Sequence, residues 1–422
     1  MDIKLTKHIF GDLRVNSKNL IGVYGPRHIE GEGLSDIEIR EAIDNPIGTE
    51  PLSKLAKNCK SVLIVTDDNT RATPLSRILP PILDVLKEAG VNDTEDGITL
   101  LIGLGTHRPM TDGEIVLKFG VEIAKKYRIV NHAWSDPESL VSLGSCEFGF
   151  EVVINRLVQS IDLLICIGSI VPHATAGFSG GGKAIMPGIC GEKTLENTHW
   201  MALDYSMHEI LGNNNNPIRA AINSICRKIN LKMIVNTILF NGERVYGVVS
   251  GDVEMAHSKG VDLCREVYGV SISEKADIVI AEAYPTDIDL RQAIKAICTA
   301  DLVCRDGGII ILTAECSEGV APQFPEFVKC GFRKPDELYR DVKNGTFKQK
   351  LMAYTLIAIG RIISDKKKAI LISPNIERDQ IENMGFIWSS DLQSALENAY
   401  QMTCKDSKVI VLKQAGELLP IL

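Results

Sequence analysis

The run Gly177-Phe-Ser-Gly-Gly-Gly-Lys183 carries the strongest chemical signal in this chain, with His173 four residues before it and His199 sixteen after it. Glycines let backbone N–H groups close around an anion, and a lysine adds a fixed charge or a nucleophilic amine. Two imidazoles flanking such a loop bring groups that exchange protons near neutrality. By spacing, the run fits the phosphate-loop pattern G-x-x-x-x-G-K, which needs Ser or Thr next as a Mg²⁺ ligand and then a helix. Ala184 stands there instead, and Pro187-Gly188 arrives within a turn, where proline breaks a helix. ATP-type chemistry is therefore disfavoured, and a plain glycine turn with a solvated lysine would explain the run taken alone.

Three further polar clusters argue against that bland explanation, because each follows a predicted strand, as the glycine run does. Asp67-Asp68-Asn69-Thr70-Arg71 comes after residues 61–66, and Gly105-Thr106-His107-Arg108-Pro109 after 98–104. His173 and the glycine run follow 163–171. Tyr284-Pro-Thr-Asp287, leading to Arg291, Gln292 and Lys295, follows 277–282. In parallel α/β sheets the carboxyl ends of the strands share one edge, and ligands bind in the crevice there. Each residue has an ordinary explanation: Asp68 with Arg71 as a capping ion pair, His107 as a solvated loop residue, His173 as a core histidine. Trp200 beside His199 would be core, and Lys295 with Arg291 would be a wet helix face. Their common position at strand ends raises the joint case.

The elements that must hold these loops are short Val/Ile/Leu runs alternating with helical patterns. Further strands are expected at 233–240, 309–313, 369–373 and 408–412. Helices are expected at 74–89, 112–119, 217–229, 253–267, 289–304, 335–342, 351–363 and 392–402. Thr111-Asp-Gly-Glu114 has capping-box form, and Thr73-Pro74 suits a helix start. This order predicts two α/β domains with mainly parallel sheets and an active-site cleft between them. The domains are expected at 1–270 and 271–422, with the last strand packing back on the first.

The chain has 422 residues, 45% hydrophobic and 24% charged, which is ordinary for a folded protein of this size. A net charge of −8 with no basic block argues against nucleic acid as a partner. No apolar run approaches the ~20 residues of a membrane span, and the first residues lack the apolar core of a signal peptide. Eleven cysteines without a C-x-x-C pattern suit free thiols in a reducing compartment, so a cytoplasmic location is expected. His8, His28, His132, His208 and His257 have no chemical context and read as structural or surface residues.

Two histidines could work as paired acid/base groups and a third could bind a borderline metal such as nickel, copper or zinc. Arg71 and Lys295 could grip a carboxylate. Lys183 could anchor a cofactor covalently if its amine is neutral when it reacts. That inventory suits a small 2-hydroxy acid handled by two bases.

Taken together, Asp68-Asn-Thr-Arg71, Gly105-Thr-His-Arg-Pro109, His173 with Ser179 to Lys183, Pro187-Gly188, His199-Trp200 and the Gln292/Lys295 pair resemble the nickel-dependent lactate racemase family. The resemblance implies a racemase or epimerase acting at C2 of a 2-hydroxy acid, by hydride transfer to a nickel-pincer nucleotide. It implies covalent attachment of that nucleotide at Lys183, nickel ligation by His199, and His107 and His173 as the two catalytic bases. Asp68, Asn69, Thr70 and Arg71 match the loop that contacts the cofactor, Arg71 also touching substrate. Gln292 and Lys295 match positions that contact substrate. Cofactor-building partner proteins are implied as well.

Two departures bear on the substrate. Arg291 stands where the lactate enzymes have a tyrosine, which makes it a candidate substrate contact. A tryptophan expected near 348–352 has no counterpart, since Trp134, Trp200 and Trp388 lie elsewhere. A guanidinium in place of apolar cover predicts a substrate with a second polar or anionic end, such as malate or 2-hydroxyglutarate, rather than lactate. The competing readings are a P-loop-like nucleotide-dependent kinase, a pyridoxal enzyme with Lys183 as Schiff base, and a non-catalytic nucleotide- or metabolite-binding protein.

Overall fold

The computed structural model describes residues 1–332 and 334–422. Two six-stranded sheets organise the chain. In the first, the strand order is Arg244–Gly251, Met233–Phe240, Leu163–Ser169, Val62–Thr66, Ile98–Ile102 and Arg128–Asn131. All neighbours run parallel except the hairpin formed by the first two. Successive side chains point to opposite faces. Ile64, Leu100, Ile102 and Ile165 meet Ile78, Leu79 and Ile82 of the helix Leu75–Glu88 on one side. Leu63, Val65, Leu101, Leu164 and Ile234 pack with Ile222 and Ile225 of Pro217–Lys228 on the other. Both faces are covered, which is why these strands read as unbroken apolar runs.

The second sheet has the order Ile387–Trp388, Lys368–Ile372, Cys304–Thr313, Ala276–Glu282, Val409–Leu412 and Leu20–Tyr24, all parallel. Its last member comes from the start of the chain and pairs with Val409–Leu412, so this sheet draws on residues from both sides of position 270. Ile3, Leu5, Phe10, Leu13 and Val15 also pack on this sheet, against Ile278, Ile311 and Val411. The helix Leu392–Met402 shares that face, and the N-terminal arm covers what it leaves open. The final strand, Leu419–Ile421, leaves the sheet and pairs with Gly269–Ser271.

In each sheet the chain steps outward from one strand, then returns to the other side of it. The reversal lies between Val62–Thr66 and Leu163–Ser169 in the first sheet, and between Ala276–Glu282 and Val409–Leu412 in the second. Loops leaving such adjacent strands diverge and open a crevice. The helix expected at 289–304 is interrupted at Ile294, giving Leu290–Ala293 and Lys295–Val303. That at 351–363 is Lys350–Gly360 continued by a wider turn, Arg361–Lys366. No described helix is long and apolar enough to cross a membrane.

Candidate active site

Asp68 follows the strand Val62–Thr66 and is only 3% exposed. Its Oδ1 accepts from the Thr70 amide at 3.0 Å and from the Thr70 hydroxyl, a short local turn that Asp favours. His107 donates from Nδ1 to Asp68 Oδ2 at 2.5 Å. Burial would raise the Asp68 carboxyl, but His107, the Thr70 hydroxyl and the Arg71 charge outweigh it and hold the group well below the usual carboxylate range. Asn69 departs from its expected role. It is exposed, turned out of the cavity, and donates to Glu114 Oε1 at 3.0 Å, because the Asp68–Thr70 turn points its side chain to solvent.

The glycine run is built as a turn over a buried cradle. Pro172–His173 pairs antiparallel with Gly177–Phe178, and a single 3₁₀ turn, Gly181–Ala184, carries Lys183. No helix grows from that turn, since the next begins at Glu192, so the architecture of an ATP phosphate loop is missing. Arg219 donates to the carbonyls of Gly180, at 3.2 Å, and Phe178. His257 donates from Nε2 to Ser179 O at 2.8 Å, and Asn236 Oδ1 accepts from the Gly181 amide at 2.7 Å. Gly180 and Gly181 have φ of 71° and 59°, where a side chain is strained, and a Cβ on Gly182 would lie 2.1 Å from Cys226 Sγ. Burial, with the Arg71 and Arg219 charges, lowers the Lys183 amine to about 7.

His199 sits on the helix Glu192–Ala202 and donates from Nδ1 to Leu195 O at 2.8 Å, leaving the Nε2 lone pair free. Burial, only partly opposed by that carbonyl, lowers it to about 4. Tyr354 stacks edge-on to it with ring centroids 5.1 Å apart, and its hydroxyl meets Thr175 Oγ1 at 2.9 Å. His173 Nδ1 accepts from the Thr175 amide at 3.2 Å. Burial and the charges of Lys183, Arg71, Lys295 and Arg219 pull this imidazole well below its ordinary value.

The second sheet supplies the opposite wall. Asp289 caps the turn Leu290–Ala293 through the Gln292 amide at 2.7 Å. Gln292 Nε2 donates to His107 Nε2 at 2.9 Å, while Lys295 Nζ donates to Gln292 Oε1. Burial, then the Arg71 and Lys183 charges, pushes Lys295 well below the ordinary lysine value, so it is not the wet helix face one might expect. Arg291 lies over the Phe324 ring at 4.8 Å and donates from Nη2 to Thr106 Oγ1 at 2.9 Å. Its Nη1 is buried without a partner.

One cavity is therefore lined by Asp68, Thr70, Arg71, His107, His173, Lys183, His199, Arg291, Gln292 and Lys295. Of the candidate site residues Asn69 falls outside, and of the four polar clusters Arg108 and the stretch Tyr284 to Asp287 do not line it either. Tyr354, Thr355, Ala358 and Ile359 close the wall where a tryptophan was sought, and these, with Thr175 and Arg219, escaped notice. Arg219 did leave a signal, a lone charge inside the apolar stripe of Ile218, Ile222 and Ile225. Tyr354 left none, since it sits in a uniformly apolar helix. His132 is buried and structural, its ring held by Cys190 O at 3.0 Å and Asn155 at 3.1 Å.

Comparisons with known proteins identify the family and the fold. Residues 8–210 match the lactate racemase N-terminal domain and residues 272–417 the lactate racemase C-terminal domain. The chain is 32% identical over 384 residues to the lactate racemase of Lactiplantibacillus plantarum, covering 90% of this chain and 89% of that protein. It is 30% identical over 380 residues to that of Thermoanaerobacterium thermosaccharolyticum, covering 89% and 88%. The structure of the lactate racemase apoprotein from T. thermosaccharolyticum superposes with a TM-score of 0.87 at 28% identity, covering 97% of each chain. Similarity that spans both sheets and the cavity between them places this chain in the lactate racemase family.

Proposed function

We propose that this protein is a racemase or epimerase that inverts C2 of a 2-hydroxy carboxylic acid bearing a second anionic group, malate or 2-hydroxyglutarate in type. The reading includes a nickel-pincer nucleotide attached at Lys183, delivered by partner proteins that build it. The observation that carries it is a single cavity holding three imidazoles, the basic side chains of Arg71, Arg291 and Lys295, and the Lys183 amine lowered to about 7. The residues suit the cofactor. A lysine whose amine is lowered to about 7 is neutral in a substantial fraction near pH 7 and is a competent nucleophile for a covalent link. The free Nε2 of His199, oriented by its Nδ1 bond to a backbone carbonyl, suits a borderline metal. When bound, the group supplies a reversible acceptor for the C2 hydride, which avoids removing a very weakly acidic C–H as a proton.

The chain's own residues do the rest. Arg71 and Lys295 hold the C1 carboxylate, and Gln292, bonded to both Lys295 and His107, orients the reacting end. His107 receives the hydroxyl proton at Nε2, and the charge so created faces the Asp68 carboxylate through Nδ1. His173 serves the hydroxyl presented in the opposite sense. Arg291 is held by Thr106 and Phe324 with one nitrogen unsatisfied, so it can take a distal carboxylate; a methyl group there would leave a buried guanidinium unpaired.

The test is expression alongside cofactor-building enzymes, followed by intact-mass and nickel measurement and enantiomer interconversion assays. Expected are mass added at Lys183, stoichiometric nickel and preference for the dicarboxylic acids. Arg291→Leu should lose about 30-fold or more in kcat/KM toward those acids, as when one partner of a buried charge pair is removed. Unmodified Lys183 without nickel rejects the cofactor reading, whereas a wild-type preference for lactate rejects only the substrate.

A further inference from the structure

The rings of His107 and His173 line one cavity but are not held alike. Asp68 is ionised and can only accept, so His107 Nδ1 must carry the proton in their 2.5 Å contact. The contact on the other side of the ring accords with that tautomer. The Lys295 amine donates to Gln292, which fixes the carboxamide with Oε1 toward Lys295 and its NH₂ toward His107. That NH₂ donates at 2.9 Å, so His107 Nε2 is an acceptor. At His173 the polarity is reversed. A backbone N–H can only donate, and the Thr175 amide points at Nδ1 from 3.2 Å. The lone pair is therefore on Nδ1, and the one proton of the neutral ring is on Nε2.

We propose that the two imidazoles rest in opposite tautomers, His107 with its lone pair on Nε2 and His173 with its proton on Nε2. Asp68 and the Thr175 amide are the positioning groups that set them. The consequence, which rests on the racemase reading, is that the two substrate enantiomers meet a resting site that is not symmetric. A hydroxyl directed at His107 displaces the Gln292 amide and meets a proton acceptor. Its O–H bond breaks, an N–H bond forms at Nε2, and the new charge faces Asp68. A hydroxyl directed at His173 meets an N–H, and its oxygen is held as an acceptor. Proton removal on that side begins only once the ring proton has moved from Nε2 to Nδ1, which requires the Thr175 contact at Nδ1 to break.

Nitrogen NMR of the cofactor-free full chain, labelled only in its histidine rings, reads this directly at about pH 8, where an ordinary imidazole is neutral. His107→Gln and His173→Gln assign the signals. The expected spectrum has a protonated Nδ1 and bare Nε2 for His107, and the reverse for His173. In Asp68→Asn the Oδ1 atom keeps the Thr70 donors and the new amide donates to Nδ1, so the His107 proton should move to Nε2 and the Gln292 carboxamide should turn its oxygen to that ring atom, while the His173 signals stay put. The same tautomer in both rings, or a His107 signal indifferent to Asp68→Asn, overturns the proposal. Should that variant not fold, the wild-type spectrum decides by itself. Absence of racemase activity in loaded enzyme would sink the function but leave the ring assignment standing, so the two failures are separable.

Discussion

Asp68 does for His107 what a buried aspartate does for the histidine of a serine-protease triad: it selects the tautomer and compensates the charge of the protonated ring. In that triad an Asn in place of the Asp keeps the geometry and removes about 10⁴-fold of kcat through the wrong tautomer. Asp68→Asn should likewise lower kcat by a factor on the order of 10³ to 10⁴ with little change in KM, because Asp68 touches the base and not the carboxylate grip. Steady-state assays of both enantiomers check this, and a KM effect with kcat intact would contradict it. Lys183 carries a different prediction, in stability. Its amine is lowered to about 7 in the fold, against an ordinary 10.5. Below pH 7 both states are protonated and the fold bears the full cost of the buried charge. Between 7 and 10.5 the unfolded state holds the extra proton, so stability rises with pH until the cost vanishes. Lys183→Met should therefore stabilise the cofactor-free protein on the order of a few kcal/mol at pH 6, with the gain fading towards pH 10. Denaturant melts at several pH values measure it, and a gain independent of pH would refute the assignment.

The glycine turn owes its shape to neighbours rather than to its own sequence. Arg219 projects from the helix Pro217–Lys228 into the loop's carbonyls, with Nε left without a partner and, among the described residues, no carboxylate paired with it. Such a cation both pins the loop and depresses the Lys183 amine. Arg219→Met should loosen the turn, costing about 1–3 kcal/mol for the carbonyls left unsatisfied. It should also move the pH midpoint for acylation of Lys183 upward. Peptide mapping after brief treatment with an amine-reactive reagent reads both site and midpoint, and an unchanged midpoint would show that Arg219 acts only as a strut. Gly182 has no such latitude, since its missing Cβ is occupied by Cys226 Sγ.

The two sheets are tied together around the cavity by Arg291–Thr106, Gln292–His107, Tyr354–Thr175 and the Arg108 bridge to Glu114 and Glu318. Glu114 falls to about 2, chiefly through its bond from Arg108. The N-terminal arm holds a different place. Lys7 pairs with Asp287 at 3.2 Å and with Glu315, at the strand ends of the second sheet, and its amide and Thr6 satisfy the buried Glu282. The arm thus fills the second sheet's own edge, leaving the shared cavity as the ligand site. Removal of residues 1–15 takes away five buried apolar side chains, each contributing about 1.5–3 kcal/mol, along with the counter-charge of that acidic group. The truncated chain should show proteolytic cleavage concentrated in the second sheet while the first stays protected. Uniform resistance in limited proteolysis would disprove the role given to the arm.

Strand runs, helix starts and the four polar clusters after strands were legible residue by residue, because apolar periodicity and capping chemistry are local. The capping box at Thr111 and Glu114 and the strand Met233–Phe240 lie where the sequence puts them. Parallel sheets then oblige those clusters to share an edge, so most of the cavity lining could be named in advance. What local pattern does not encode is which distant segment completes a surface. Leu20–Tyr24 joins a sheet whose other strands begin some 250 residues later, Tyr354 reaches His199 from an apolar helix, and Asn69 turns outward although its neighbours turn in. Those outcomes follow from which apolar faces remain to be covered once the sheets are stacked, and burial of that kind is settled by long-range packing.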